Sequence, residues 1–257
     1  MNISQVNLLT FEISNKCNLA DIHYKCPIDI HHKEKDKKIS MTNESILNFV
    51  TFFRNNGFNG HIAFQYYSEP LMNKKRMMDV IAMIKFEFPN QKFLLWTNGT
   101  LIPRDISKCD FLSVFNKIII SLYNSKDLKF YNELKKTYAN INVWTHWADK
   151  EDAGLDNRKK NVDSKQYIEY KNVHPCLRPQ KTEFLIDYYG EVRICCVDFL
   201  SEVKIGNIMY TDFDSVINQY TIIAQKIENM FLSESQFNDG PEMCKTCVIK
   251  TPGMRTK

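Results

Sequence analysis

The chain has little of what marks fibrous, disordered or membrane-embedded proteins. Eight glycines and eight prolines in 257 residues are too few for a low-complexity chain. It shows no internal repeat and no block of like charge long enough to form a solvated tail. The run HHKEKDKK, residues 31 to 38, mixes both signs and reads as a solvated loop. No uninterrupted apolar run approaches the roughly 20 residues that cross a bilayer. The first residues, MNISQVNLLTFEI, lack a basic start followed by a long apolar stretch. The expectation is therefore a cytoplasmic protein with no membrane partner. A net charge of +4 is small for this length and gives no electrostatic ground for nucleic-acid binding.

What is present is a full complement of core formers and a pattern of cysteines. With 44% hydrophobic and 25% charged residues, the chain can bury one large core or two modest ones. Its eight cysteines cluster as 17/26, 176, 195/196 and 244/247, with Cys109 left over as a buried, inert thiol. In a reducing compartment such clusters point to metal ligation before disulfides. The stretch FEISNKCNLADIHYKCP, residues 11 to 27, runs from a strand pattern into a loop that puts Cys17, His23 and Cys26 within ten residues. Thiolates and imidazoles at this spacing can share one metal centre. Small buried thiols and a satisfied polar His would leave the same local pattern.

Along the chain, apolar strand patterns alternate with helical ones. Strands are expected at 7–13, 61–67, 92–96, 116–123 and 141–145, and helices at 42–56, 73–88 and 125–138. This alternation implies right-handed βαβ units and a parallel sheet or barrel, in which sites lie at the strand C-termini. Polar residues gather at those ends: the cysteine loop, then Ser68 with Glu69, Thr97 with Asn98, and His146. From about residue 165 the pattern changes. FLIDYYGEVRICC (184–196) reads as a β-hairpin with Gly190 at its turn, and a helix over 212–232 leads to the Cys-x-x-Cys of residues 244 to 247. Cys176, Cys195, Cys244 and Cys247 form a set of four thiolates suited to tetrahedral zinc or to an iron–sulfur cluster, and spacing does not separate the two.

FEISNKCN, the Cys-Pro at 26 and 27, YYSEPLM (66–72), WTNGTLI (96–102), Cys176 with IDYYGEVRICCVD (186–198), IGNI (205–208) and CKTC together resemble the radical S-adenosylmethionine (radical-SAM) family. Within it, they are similar to members with a SPASM or shortened twitch C-terminal domain. The resemblance spans nearly the whole chain. It implies an α/β fold: a partial (β/α) TIM-like barrel over 1–165, then a small β-hairpin-plus-helix domain over 166–257. Two [4Fe-4S] clusters are implied, one binding S-adenosylmethionine and one auxiliary.

By the same resemblance Cys17, His23 and Cys26 are the ligands of the first cluster. The family's Cys-x3-Cys-x2-Cys becomes Cys-x5-His-x2-Cys, with His23 at the offset of the missing middle thiolate. A neutral imidazole in place of a thiolate raises a cluster's potential. Cys176, Cys195, Cys244 and Cys247 are the auxiliary ligands, and Cys196 is an extra thiol. Tyr24, Ser68, Glu69, Pro70, Thr97 and Asn98 are the cofactor-binding positions, with Ser68 standing where the family usually has glycine. Arg158 and Tyr67 are the catalytic candidates on the substrate side, where Tyr66, His146, Trp147 and Asn157 are also placed. The implied activity is an oxidoreductase that uses a 5′-deoxyadenosyl radical to take hydrogen from a sugar- or aminocyclitol-like alcohol or from a peptide side chain. The auxiliary cluster accepts the electron, and a flavodoxin- or ferredoxin-type protein acts as reductant. Two other readings stand beside it. One is an iron–sulfur protein that no longer cleaves the cofactor. The other is a zinc protein in which Cys17, His23 and Cys26 are joined by His31 or His32.

Overall fold

The computed structural model describes residues 2–20, 26–33, 39–145, 176, 183–196 and 198–245. His23, Tyr24, His146, Trp147, Asn157, Arg158 and Cys247 lie outside them. Seven strands form one sheet in the order β5-β4-β3-β2-β1-β6-β7. They are β1 (Leu8–Phe11), β2 (His61–Ala63), β3 (Lys92–Thr97), β4 (Lys117–Leu122), β5 (Ile141–Thr145), β6 (Glu183–Ile186) and β7 (Val192–Arg193). Every pairing from β5 across to β6 is parallel, and only β6 with β7 is antiparallel. The result is an open, parallel-dominated α/β sheet, as a partial barrel requires. The C-terminal hairpin continues that sheet, with β6 pairing in parallel with β1 from Leu8↔Glu183 to Phe11↔Ile186.

The strands follow from their composition. β4 reads KIIISL and is buried at every position after Lys117, as expected of a strand covered on both faces. The helices are α1 (Ile28–Lys33), α2 (Asn43–Asn55), α3 (Lys74–Glu87), α4 (Leu128–Thr137) and α5 (Phe213–Asn229), followed by short α6 (Glu234–Asn238) and α7 (Glu242–Lys245). Thr42 caps α2 by accepting the Ser45 amide at 3.0 Å. Ile46, Phe49, Val50 and Phe53 line the buried face of α2 at helical spacing. Phe49 and Phe53 pack on Phe184 of β6 at 5.8 and 5.2 Å, and Phe213 at the start of α5 packs edge-on to Phe49 at 4.9 Å. Tyr220 of α5 stacks on Phe184 at 4.5 Å. One aromatic layer thus joins α2, α5 and the β6 side of the sheet.

Two expectations need correction. His31 and His32 do not belong to a solvated loop: α1 carries them, and they are 1% and 6% exposed. The strand expected over 61–67 ends at Ala63, because beyond it the amides of Tyr67 and Ser68 turn to the Glu12 carboxylate, each at 3.0 Å, instead of a neighbouring strand. Cys109 is buried as expected, its thiol beside the Pro103 carbonyl at 3.4 Å.

Gly60 marks the tightest approach before β2. A methyl group there would lie 2.7 Å from the Phe58 ring and closer still to the Asn7 backbone carbonyl, which accepts the His61 amide. Because backbone cannot rotate aside, Gly60→Ala should destabilise the fold by about 1–3 kcal/mol or more. Chemical denaturation would measure this, and an unchanged midpoint would contradict the packing.

Candidate functional site at the strand ends

Past the C-terminal ends of β1, β2 and β3 the chain makes three loops, and buried polar groups tie them together. Glu69 is 2% exposed and opens a short turn over Pro70–Asn73, with Pro70 at the first helical position. Its Oε1 accepts the Leu71 amide at 3.1 Å and the Thr97 hydroxyl at 2.6 Å, and its Oε2 accepts the Asn98 amide at 2.8 Å. Burial raises its pKa above the ordinary carboxylate value, against the opposing pull of those three donors. The Glu69 amide donates to the Lys16 carbonyl at 3.0 Å. The Glu69 carboxylate is therefore a strut between the β2 and β3 ends, and its amide holds the cysteine loop.

That loop places Cys17, half-buried, beside Asn98, whose Nδ2 lies 3.9 Å from the Cys17 sulfur and 3.0 Å from Asn18 Oδ1. Burial pushes the Cys17 thiol up, while the Leu19 amide and Asn98 pull it down by donating toward the sulfur. Donors aimed at a sulfur suit a thiolate that ligates iron, because such hydrogen bonds set a cluster's potential. Cys26, also half-buried, packs with Cys17 and Tyr66 against Ile28, Tyr67 and Phe199. Ser68 is 7% exposed, and its hydroxyl has no hydrogen-bond partner among the described residues. The chemistry of these groups fits the cofactor positions expected of them: two half-buried sulfurs against one apolar cluster, one with donors already in place, and a buried hydroxyl without a partner among the described residues.

Tyr67 takes a different position from an open substrate wall. It is 5% exposed, stacks on Tyr66 at 4.0 Å and donates its hydroxyl to the Cys196 carbonyl at 2.5 Å. Tyr66 donates to the Cys195 carbonyl at 3.2 Å. The two tyrosines after β2 thus hold the Cys195-Cys196 segment after β7. Cys195 is buried, and Cys176 and Cys196 are half-buried. Cys244 is buried in α7, its amide donating to the Pro241 carbonyl at 2.9 Å. The Tyr220 phenol titrates above its ordinary range because of burial first, then the charges of Cys195, Glu183 and Cys176, so α5 brings one ring near two of the expected ligands.

A further cluster lies where β1 and β6 end, and the sequence reading missed it. Glu12, fully buried, accepts the amides of Tyr67 and Ser68 on Oε1 and that of Tyr188 on Oε2 at 3.2 Å. His32 Nε2 stands 3.5 Å from Glu12 Oε1, and His31 Nε2 stands 3.8 Å from Glu12 Oε2 and 3.6 Å from Asp187 Oδ2. Arg193 donates to Asp187 Oδ2 from two nitrogens, at 2.7 and 3.2 Å, and also pairs with Glu191. Burial raises the Glu12 pKa but the two imidazoles outweigh it, so the carboxyl sits below its ordinary value. Both imidazoles face Glu12, and no group of three among the described residues joins either to Cys17 or Cys26. The expected zinc arrangement of Cys17, His23 and Cys26 with His31 or His32 has its His23 outside the described residues. The available signals were slight: a Glu following β1 inside an apolar run, and paired histidines in a charged stretch.

Residues 172–248 match the SPASM family, an iron–sulfur cluster-binding domain, and the fold is shared with BtrN and anSMEcpe. The particular similarity is to BtrN. The structure of BtrN in complex with AdoMet and 2-DOIA superimposes with a TM-score of 0.66 at 19% identity, covering 95% of this chain and 93% of that one. BtrN in an open conformation gives 0.65 at 16% identity, covering 98% of each chain. A tagged anSMEcpe with bound AdoMet gives 0.50 at 18%, covering 93% and 88%. No curated protein matches the sequence. No helix among the described residues is long and apolar enough to cross a membrane.

The contact between Glu69 and Thr97 is open to direct measurement. Glu69→Ala and Thr97→Val should each destabilise the protein, and the pair should couple by about 1.5–3 kcal/mol, the worth of a hydrogen bond to a charged group. A double-mutant cycle by denaturant titration checks this, and additive effects would remove the strut.

Proposed function

We propose that the protein is a radical-SAM oxidoreductase acting on a small polar substrate, a sugar- or aminocyclitol-like alcohol, or on a peptide side chain. The observation that carries this reading is the joint between the cysteine loop and the ends of β2 and β3: Lys16 to Glu69, Glu69 to Thr97 and Asn98, Asn98 to Cys17. Support also comes from the SPASM match and from the AdoMet bound to BtrN and anSMEcpe, BtrN being also in complex with 2-DOIA. In this reading residues 1–165 are the barrel and 166–257 the auxiliary domain.

Cys17, His23 and Cys26 would hold the first [4Fe-4S] cluster, and Cys176, Cys195, Cys244 and Cys247 the second. When bound, the first cluster and S-adenosylmethionine supply a 5′-deoxyadenosyl radical. The chain's own part is positioning. Asn98 and the Leu19 amide donate to the Cys17 sulfur. Glu69, with both oxygens engaged, keeps Thr97 and Asn98 in place and acts as a positioning residue. The Ser68 hydroxyl and the Tyr24 side chain would meet the cofactor. Pro70 fixes the turn behind them. Tyr67, with Tyr66, fastens the auxiliary cysteines to the barrel, and Arg158 would face the substrate. Exclusion of water follows from burial, since Ser68, Glu69, Thr97 and Asn98 are all less than 9% exposed. The reductant would be a flavodoxin- or ferredoxin-type protein.

The replacement of the family's middle cysteine by the Cys-x5-His-x2-Cys pattern favours one second reading, an iron–sulfur protein without cofactor cleavage. Iron and sulfide analysis of anaerobically reconstituted protein separates the two, with about eight irons per chain expected if both loops hold four-iron clusters. Incubation with S-adenosylmethionine and dithionite should then release 5′-deoxyadenosine, and Cys17→Ala should abolish that release while leaving about four irons. Full iron content with no 5′-deoxyadenosine would refute the enzyme reading, and about four irons in the wild type would favour the second.

A further inference from the structure

Glu12 and His31 stand at the two ends of the segment that carries Cys17 and Cys26, and His32 completes a trio whose ligand atoms all lie within 4.8 Å of one another. All three are buried. Among the described residues Glu12 has no lysine or arginine partner, and its only ion-pairing groups are the two imidazoles. Asp187 differs in this respect, since Arg193 already neutralises it. Three backbone amides offset the cost of burying its charge, and a cation between the carboxylate and the two imidazoles would stabilise it further.

The distances bear on which cation. His31 Nδ1 lies 3.0 Å from the Phe199 carbonyl, which can only accept, so Nδ1 carries the hydrogen. In the neutral ring the Nε2 lone pair then faces Glu12 Oε2 at 3.8 Å and Asp187 Oδ2 at 3.6 Å. Ligands sharing one tetrahedral ion at bonds of about 2.0–2.2 Å stand roughly 3.3–3.6 Å apart. The Glu12–His32 separation is 3.5 Å, and neither ring nitrogen of His32 has a hydrogen bond among the described residues although the side chain is 8% exposed. A histidine that donates its far nitrogen to a backbone carbonyl is the usual support of a metal ligand. The amides of Tyr67, Ser68 and Tyr188 hold the carboxylate in the same way.

We propose that Glu12, His31 and His32 bind a zinc ion in a structural site separate from the cysteine ligand sets. Two imidazoles with one carboxylate are a donor set suited to zinc and not to the hard, oxygen-preferring calcium or magnesium. The ion would close the segment between residues 12 and 31 and so fix both ends of the first cysteine loop.

The test uses the whole protein purified anaerobically with its iron–sulfur centres, supplied with zinc chloride and then passed through a chelator. A single zinc per chain should survive, and its K-edge absorption should show only nitrogen and oxygen neighbours, at about 2.0–2.2 Å. His32→Gln should lower retained zinc at least about tenfold without changing iron content. Loss of all zinc from the wild type, a sulfur shell at about 2.3 Å, or equal retention in His32→Gln would each overturn the site. The wild-type spectrum decides alone if the variant does not fold. Release of 5′-deoxyadenosine does not enter the outcome, so this site and the proposed enzyme activity fail independently.

Discussion

A single buried carboxylate, that of Glu12, meets three backbone amides from two other parts of the chain. Tyr67 and Ser68 come from the loop after β2, and Tyr188 from the turn between β6 and β7. Taking a carboxylate out of water costs several kcal/mol. Hydrogen bonds to a charged group contribute about 1.5–3 kcal/mol each, so three of them are of the size needed to offset that cost. The consequence is geometric. β2 ends at Ala63, the amides of Tyr67 and Ser68 beyond it belong to Glu12, and the next residue, Glu69, reaches Lys16 on one side and Thr97 with Asn98 on the other.

The Asp187–Arg193 pair extends this arrangement into the hairpin. Asp187 accepts the amides of Tyr189 and Glu191 at 3.0 Å each while its other oxygen receives Arg193, so the turn around Gly190 is held from inside. Burial works against charge on Arg193, but Asp187, Tyr66 and Glu191 outweigh it and keep the guanidinium ionised. Gly190 has φ of +81°, a conformation that a side chain would strain, and its carbonyl accepts the Ile208 amide at 2.9 Å. Cys195 and Cys196 follow directly from this fixed turn, which places the hairpin's thiols relative to β1.

Much of the fold was legible because it rests on local pattern. Ile46, Phe49, Val50 and Phe53 announce α2 by spacing, Thr42 announces its start, and the apolar run of β4 announces a strand covered on both faces. The loops after β1, β2 and β3 were legible as the place where polar residues collect, and the structure brings Cys17, Glu69, Thr97 and Asn98 together there. The pairing of β6 beside β1 was not legible, since a hairpin signal says nothing about which distant strand it will join. The burial of His31 and His32 was hidden for a related reason. Their neighbours in sequence are charged, and only the long-range approach of Glu12, Asp187 and Phe199 turns them inward.

The same long-range logic bears on how the two cysteine regions are joined. Tyr66 and Tyr67 are adjacent in sequence, stack at 4.0 Å, and end on the carbonyls of two adjacent cysteines. His31 lies against both rings, at 5.4 and 4.8 Å. Two neutral hydrogen bonds at about 1 kcal/mol each and an aromatic contact of about 0.5–1.5 kcal/mol are a large fraction of a typical domain's net stability. A displacement at Cys195-Cys196 must either break those bonds or carry the tyrosines with it. Because the amides of Tyr67 and Ser68 are fixed on Glu12, and Glu69 is fixed on Lys16, the carried motion would reach the Cys17 loop. The loop after β2 is therefore the mechanical link between the Cys17 loop and the Cys195-Cys196 segment, and its stiffness comes from groups that touch neither sulfur.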